Sequence, residues 1–213
     1  MTVNDIPRSA KKLNNTAIGP HWGRPAPGLL VTGFFRERAP YGVLRPRGTR
    51  DWLLTYTLQG RGRYRQTGLE YLAQPGDLVL LEPGAHHDYG CLPKGRWVFV
   101  WAHFIARPDW LPHLDWPLAG KGLRVIHVES PALRQRVRAA FLRAHADARG
   151  SLGEDLAATG LEEVILLADR LAYEYQRTTP DELLRNIDDL QRVRDVYWDL
   201  PPRNGDDVAE TYP

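Results

Sequence analysis

The chain has 213 residues, of which 43% are hydrophobic and 25% charged, and its formal net charge at pH 7 is +2. This composition is typical of a globular protein with one large domain or one and a half small ones. The single cysteine, Cys91, excludes an internal disulfide framework and a cysteine-based zinc site. No apolar run approaches the roughly 20 residues of a membrane span. The first residues also lack the apolar core of a secretory signal, so a cytoplasmic location is expected.

The charges are distributed unevenly along the chain. Residues 1–65 hold 12 basic and 3 acidic side chains, whereas residues 150–213 hold 6 basic and 15 acidic ones. The basic residues are scattered rather than aligned along one helix face, which does not favour a nucleic-acid patch. We expect instead that the two oppositely charged parts attract each other, within one chain or between chains.

The first part of the chain predicts an arm followed by a β-rich domain. Residues 1–28 are rich in Asn, Gly and Pro, which is typical of an irregular arm. From residue 29 to residue 128, short β-rich runs alternate with Gly and Pro, as in an antiparallel sandwich or barrel. The clearest of these runs are residues 52–58, 69–73, 78–81, 96–104 and 123–128.

After residue 128 the apolar period changes from 2 to 3.6 residues, which predicts a helical region over 129–179. Ser130 and Pro131 form a good helix start, because serine caps the first turn and proline suits its first position. Residues 180–213 predict a third helical stretch and then a polar, partly disordered tail. The predicted fold class is therefore α+β, an antiparallel β-barrel of the cupin or jelly-roll type followed by two or three α-helices.

The most specific motif runs from Pro75 to His87. It consists of a Pro-Gly-Asp turn, an apolar strand, and a second Pro-Gly that places histidines at the far end of the strand. This order resembles the second conserved motif of the cupin barrels. Residues 45–117 resemble the sensing domain of the AraC-type transcription regulators. Four segments occur in the same order as in that family, and an Asp-Trp-Pro turn follows them. These are residues 45–48 (RPRG), 58–62 (LQGRG), 86–90 (HHDYG), 97–104 (WVFVWAHF) and 115–117 (DWP).

A metal-dependent cupin enzyme is an alternative to a sensing domain. Cupin metal sites use a His-x-His and a Glu on the strand before the Pro-Gly-Asp turn, and residues 58–68 contain neither. His86 and His87 are adjacent, so on a strand they point to opposite faces and rarely chelate one ion. We therefore predict no metal, no cofactor and no catalytic residue. A stand-alone cupin isomerase or dioxygenase stays open as the competing class.

An aromatic ladder is predicted on strand 96–104. Because side chains alternate along a strand, Trp97, Phe99, Trp101 and His103 share one face. Such rings either fill a small barrel or stack on a flat ligand such as a sugar, while a few polar groups orient that ligand. The sequence alone leaves both interpretations open.

The resemblance favours a ligand. In arabinose-responsive members, the positions that match Arg45, Tyr89 and Trp101 contact the sugar, and all three residue types are present here. Phe35 and Phe99 stand where those members carry a polar threonine and a histidine. Losing two hydrogen-bonding groups argues against L-arabinose itself, since each unpaired hydroxyl costs about 1–3 kcal/mol. A more apolar or differently substituted sugar-like effector is expected, with Phe99 among the ligand-binding residues.

The resemblance also implies roles for both ends of the chain. Residues 13–28 match the arm that folds over the ligand, with Trp22 as part of a lid. The second helix matches one that pairs antiparallel with its copy, which implies a homodimer. An AraC-type regulator continues into a DNA-binding domain, and the residues after Pro180 leave no room for it, so direct DNA binding by this chain is not expected. DNA would be reached through a missing C-terminal domain or a partner.

Two readings of the helical region remain open. Its apolar stripe either packs as plain core against the barrel or forms a homodimer interface, and in the second case the chain is either a sensing domain or a dimerisation-only module without a ligand. The residues assigned to the interface are Leu161, Val164, Ile165, Ala168 and Leu171.

Overall fold

The computed structural model describes residues 30–149 and 153–176. The arm, Trp22 and the third helical stretch predicted after residue 180 lie outside these residues. Within the described ranges the chain forms ten strands, one short 3-10 helix (Leu111–Leu114) and two α-helices. In chain order these are β1 (Leu30–Arg38), β2 (Gly42–Arg45), β3 (Trp52–Gly60), β4 (Gly62–Gln66), β5 (Leu69–Ala73), β6 (Asp77–Leu81), β7 (His87–Cys91), β8 (Arg96–Phe104), β9 (Leu118–Gly120), β10 (Leu123–His127), α1 (Pro131–Asp147) and α2 (Gly153–Gln176).

The strands form two antiparallel sheets. The six-stranded sheet has the order β1-β8-β3-β6-β10-β9, and the four-stranded sheet has the order β2-β7-β4-β5. Because neighbouring strands are mostly not consecutive in sequence, the chain passes repeatedly from one sheet to the other, as in a jelly roll. Hydrogen bonds do not close the two described sheets into one barrel. The predicted class, an antiparallel cupin-like β domain followed by helices, is confirmed.

The six-stranded sheet lies in the middle of three layers. Side chains on one of its faces pack with the four-stranded sheet, and side chains on the other face pack with the two helices. A strand buried on both faces needs apolar residues at nearly every position rather than at alternate ones. This explains why β6, with all five residues buried, is apolar at every position after Asp77.

Helix α1 begins as the sequence predicts. The hydroxyl of Ser130 accepts a hydrogen bond from the Leu133 backbone N–H at 3.5 Å, and Pro131 occupies the first position of the helix. The buried face of α1 packs into the hydrophobic core between the helices and the six-stranded sheet. A Cβ on Gly160 of α2 would lie 3.0 Å from the Cβ of Ala144. The two helices therefore approach closely at this point because both residues are small.

The apolar face of α2 is part of this core. The side chains of four residues predicted for a dimer interface are fully buried within the chain: Leu161, Val164, Ile165 and Ala168. The fifth, Leu171, is partly buried against the same cluster. Because the first four side chains have no exposed surface, the structure places them in the chain's own core, whereas Leu171 stays a prediction for an interface. The large apolar side chains that α2 does expose include Leu156, Leu166 and Tyr173.

Asp77, the last residue of the Pro-Gly-Asp turn, joins four elements of the fold. Its carboxylate is 1% exposed and accepts hydrogen bonds from the Tyr71 hydroxyl at 2.7 Å and from the Gln74 backbone N–H at 2.8 Å. The His127 Nδ1 donates a third at 2.5 Å, while Arg134 of α1 donates to the Nε2 of the same ring at 2.9 Å. Asp77 therefore links β5, β6, β10 and, through His127, helix α1.

We predict that Asp77→Ala lowers the free energy of unfolding by about 3 kcal/mol, because three donors lose a buried acceptor. Urea denaturation measures this change. Asp88→Ala is the matched control, since Asp88 pairs with an Arg65 side chain that is 44% exposed. Its cost should stay below about 1 kcal/mol. Equal losses in the two variants would contradict the linking role of Asp77.

Candidate functional site

Five polar and aromatic side chains converge between the two sheets near the end of β8. Arg45 lies directly opposite His87 in the β2–β7 pair, and Tyr89 lies two residues further along the same face of β7. Trp101 and His103 project from β8 toward them. The ring centroids of His87 and His103 are 6.3 Å apart, and those of Trp101 and His103 are 5.6 Å apart. We refer to Arg45, His87, Tyr89, Trp101 and His103 as the inter-sheet cluster.

Gly33 makes room for the indole ring of Trp101. It pairs with Trp101 across β1 and β8, and a Cβ on Gly33 would lie 2.4 Å from the Trp101 Cε2 and 2.6 Å from its Nε1. Real non-bonded atoms do not approach so closely, so any larger residue at position 33 would displace the ring. The glycine thus fixes the ring against β1.

Asp51 and His103 form a buried pair at the base of the cluster. The Nδ1 of His103 donates to the Asp51 Oδ1 at 3.0 Å, and the two residues are 6% and 2% exposed. Burial alone would raise the pKa of Asp51. The hydrogen bond and charge of His103, and a hydrogen bond from Thr49, have the larger combined effect, so the pKa lies below its usual value. Asp51 is therefore an ionised acceptor at neutral pH, and it orients the His103 ring.

The protonation of His87 follows from its surroundings. Burial, together with the neighbouring His103 and Arg45, lowers the pKa of His87 to about 3. The ring is therefore neutral at neutral pH and carries one proton. Arg45 donates to its Nδ1 at 3.4 Å, and a guanidinium has no acceptor, so the Nδ1 accepts. The proton consequently lies on the Nε2.

Two N–H donors of the cluster are buried and have no acceptor within the described residues. They are the His87 Nε2 and the Trp101 Nε1. A buried donor without a partner costs about 1–3 kcal/mol, so such groups call for an explanation. The Trp110 Nε1 shares this property, but it lies in the separate core beside the helices.

Tyr89 supplies a further donor. Burial raises its pKa to about 12, although the charge of Arg45 and its hydrogen bond to the phenol oppose this shift. The phenol is therefore protonated at neutral pH. Since its oxygen accepts from Arg45, its own O–H remains a donor.

The aromatic ladder continues from the cluster toward the other end of β8. Phe99 stacks on Trp97 with ring centroids 3.7 Å apart, and it lies directly opposite Phe35 in the sheet. Phe35 in turn meets Trp101 edge-on at 5.5 Å. Phe99 is 1% exposed, so it is a packed wall next to the cluster.

The structure brings together three of the predicted ligand-binding residues, Arg45, Tyr89 and Trp101, and sets Phe99 beside them. Trp22 lies outside the described residues. Sequence reasoning assigned no ligand role to His87, which it interpreted as a histidine at a strand end, and it did not single out Asp51. The Asp51–His103 pair joins residues 52 positions apart, and no local pattern reveals it.

Two negative findings concern only the described residues. Among residues 30–149 and 153–176, no group of three or more His, Cys, Asp or Glu side chains is arranged to hold a metal ion. In the same part of the chain, no helix is long and apolar enough to cross a membrane.

The two-sheet fold with a donor-rich cluster between the sheets defines a small cupin-like domain. The family model described as "AraC-like ligand binding domain" matches residues 33–164, which is more than half of the chain. The chain therefore belongs to this family, as the sequence motifs predict.

The curated relatives include two operon regulators. The chain is 38% identical over 74 residues to the arabinose operon regulatory protein of Escherichia coli (strain K12), covering 34% of this chain and 25% of that protein. It is 33% identical over 101 residues to the MmsAB operon regulatory protein of Pseudomonas aeruginosa, covering 43% of this chain and 33% of that one. The chain thus matches a quarter to a third of these relatives' lengths.

Similar solved structures include an unsaturated fatty acid bound wild-type ToxT from Vibrio cholerae, with a TM-score of 0.43 and 12% identity over 67% of this chain and 55% of that one. A cupin-like protein from Thermotoga maritima matches with a TM-score of 0.31 and 15% identity, over 35% of this chain and 56% of that one.

The neutral His87 predicts a specific pH dependence of stability. The pKa of His87 is about 3 in the folded chain and about 6.5 in an unfolded one. Between these values the unfolded state binds more protons, so stability rises with pH up to about 6.5 and is lost on acidification. This residue contributes a slope of at most about 1.4 kcal/mol per pH unit.

Urea denaturation at pH values from about 4 to 8 tests this slope. His87→Gln lacks the titrating ring and should show a shallower pH dependence than the unmodified chain. His86→Gln, at a position outside the core, is the matched control and should keep the full slope. The same slope in the His87→Gln variant would contradict the neutral assignment of His87.

Proposed function

We propose that the chain is a sensing domain that binds a sugar-like small molecule at the inter-sheet cluster and reports this binding to a transcription regulator. Family membership and the nature of the curated relatives support the regulatory role. The observation that carries the ligand assignment is the pair of buried N–H donors on His87 and Trp101, which lack an acceptor within the described residues. A ligand oxygen placed between the sheets would satisfy them.

In the proposed complex, each side chain has a distinct task. The indole of Trp101 covers one face of the ligand, because aromatic rings pack well on C–H surfaces. Arg45 and the Tyr89 hydroxyl donate hydrogen bonds to the ligand. Asp51 holds the His103 ring in place beside these donors. Phe99 forms an apolar wall. The arm at residues 1–28, with Trp22, keeps the closing role that the sequence resemblance implies.

Regulation requires that the ligand bind two states of the domain with different affinity. Helix α2 is the proposed site of homodimer formation, through its outward face rather than through its buried one. Leu156 is 58% exposed and Leu166 is 44% exposed on that face. We further propose that contact with DNA depends on another domain or on a partner.

Ligand binding is tested by a thermal-shift screen of sugars and sugar derivatives, followed by calorimetry on each compound that raises the melting temperature. A ligand at a hundred times its Kd should add about 2.7 kcal/mol of stability. Arg45→Gln should weaken binding by about tenfold or more, because it removes charge-assisted hydrogen bonds. Arg65→Gln, an exposed arginine paired with Asp88, is the matched control and should bind normally. Unchanged binding by Arg45→Gln would contradict the assigned site.

Dimer formation through α2 is tested by sedimentation velocity. We expect the unmodified chain to form a dimer and Leu166→Glu to shift it toward a monomer, because a charge would be placed in an apolar contact. Leu44→Glu is the control, since Leu44 is 65% exposed on the four-stranded sheet. A monomeric unmodified chain, or equal effects of both substitutions, would count against this interface.

A further inference from the structure

We propose that the effector carries a carboxylate, as a sugar acid or a related hydroxy acid does, and that the inter-sheet cluster binds this group through its N–H donors. This inference rests on the proposed function and narrows it to one class of ligand.

The cluster presents several hydrogen-bond donors. The His87 Nε2–H and the Trp101 Nε1–H are buried donors without an acceptor within the described residues. Both rings neighbour the same residue, with centroids 6.3 Å and 5.6 Å from that of His103. The Tyr89 hydroxyl adds a third donor, and the Arg45 guanidinium donates at every pH that the fold tolerates. A carboxylate accepts hydrogen bonds at both of its oxygens and donates none, so it suits such a set.

Within the described residues, the cluster offers few acceptors. The carboxylate beside it, Asp51, already accepts from the His103 ring and from Thr49. The Nδ1 of His87 already accepts from Arg45. A neutral polyol could accept hydrogen bonds here, but each of its hydroxyl protons also needs an acceptor, and a proton left unpaired weakens binding. A carboxylate brings no such proton to the donors.

The charge of Arg45 also favours an acid. Arg45 is permanently positive, and its planar fork matches the geometry of a carboxylate. His87 is held neutral by burial, so it stays a donor through one nitrogen and adds no second charge that would need compensation. The Arg45 fork, set among N–H donors, therefore gives a carboxylate a charged partner, while the Asp51 carboxylate is engaged by the His103 ring.

The rest of the ligand would face the aromatic ladder. Phe35 and Phe99 lie opposite each other next to Trp101 and present C–H and ring surfaces rather than hydrogen-bonding groups. A ligand with a carboxylate at one end and a carbon backbone of limited polarity at the other would match both parts of the site.

Isothermal titration calorimetry on matched pairs of compounds tests this inference. The probes are D-glucose with D-glucuronate, and D-galactose with D-galacturonate, where each acid keeps the sugar ring and carries a carboxylate in place of the exocyclic CH2OH. We expect the acid to bind about tenfold or more tighter than its neutral partner in at least one pair, because charge-assisted hydrogen bonds are the stronger ones. Arg45→Gln should remove this preference.

A second substitution tests the N–H donor without removing the ring. Trp101→Phe keeps an aromatic surface and deletes the indole N–H, so it should weaken binding of the acid by about three- to tenfold. Trp110→Phe makes the same change at another buried tryptophan with an unpaired N–H, in the core beside the helices. It should leave the affinity unchanged, which separates a local effect from a general loss of packing.

The outcomes distinguish this inference from the proposed function. Tighter binding of the acid together with the Trp101→Phe loss would support both. A neutral sugar that binds as well as its acid, or an acid whose affinity Trp101→Phe does not change, would overturn the carboxylate inference and leave the sensing function standing. No binding of either member of either pair, combined with a thermal-shift screen in which no sugar derivative raises the melting temperature, would overturn both.

Discussion

Strand β8 lies between β1 and β3 and is buried on both of its faces, and the other layers follow from this arrangement. Because Val100 and Phe104 pack on the helix side, the alternation of the strand directs Trp97, Phe99 and Trp101 toward the four-stranded sheet. The helices cover one face of the six-stranded sheet, and the opposite face carries the inter-sheet cluster. A shift of the register by one residue would turn the aromatic ladder toward α1 and leave the space between the sheets without its lining.

The chemistry of the inter-sheet cluster depends on the same burial. In water, a histidine changes its charge near neutral pH, but between these sheets His87 stays neutral and presents its Nε2–H as a fixed donor. Asp51 remains ionised despite burial because His103 donates to it. The cluster thereby contains one hydrogen-bonded Asp–His pair and several oriented donors. Buried N–H donors destabilise a fold when they lack an acceptor. A ligand that accepts from them binds more tightly because the donors are already in position.

Much of the fold could be predicted from the sequence, because its signals are local. The Pro-Gly-Asp turn, the β8 alternation and the Ser130 cap each depend on a few neighbouring residues, and the structure contains all three. The motifs also predicted that Arg45, Tyr89 and Trp101 belong to one ligand-binding site. The Asp51–His103 pair and the contact between Gly33 and Trp101 could not be predicted, since they join residues far apart in sequence. The sequence could not decide between core and interface for the apolar face of α2, because periodicity indicates burial without indicating what covers the face.

The most direct test of the account is the indole N–H signal of Trp101 in a two-dimensional proton–nitrogen NMR spectrum. The chain has seven tryptophans, and the Trp101→Phe and Trp110→Phe variants would assign the two signals of interest. The account predicts that a bound effector shifts the Trp101 signal downfield, because its N–H gains an acceptor, while the Trp110 signal stays in place. An effector that binds but leaves the Trp101 signal unmoved would contradict the placement of the ligand at the inter-sheet cluster.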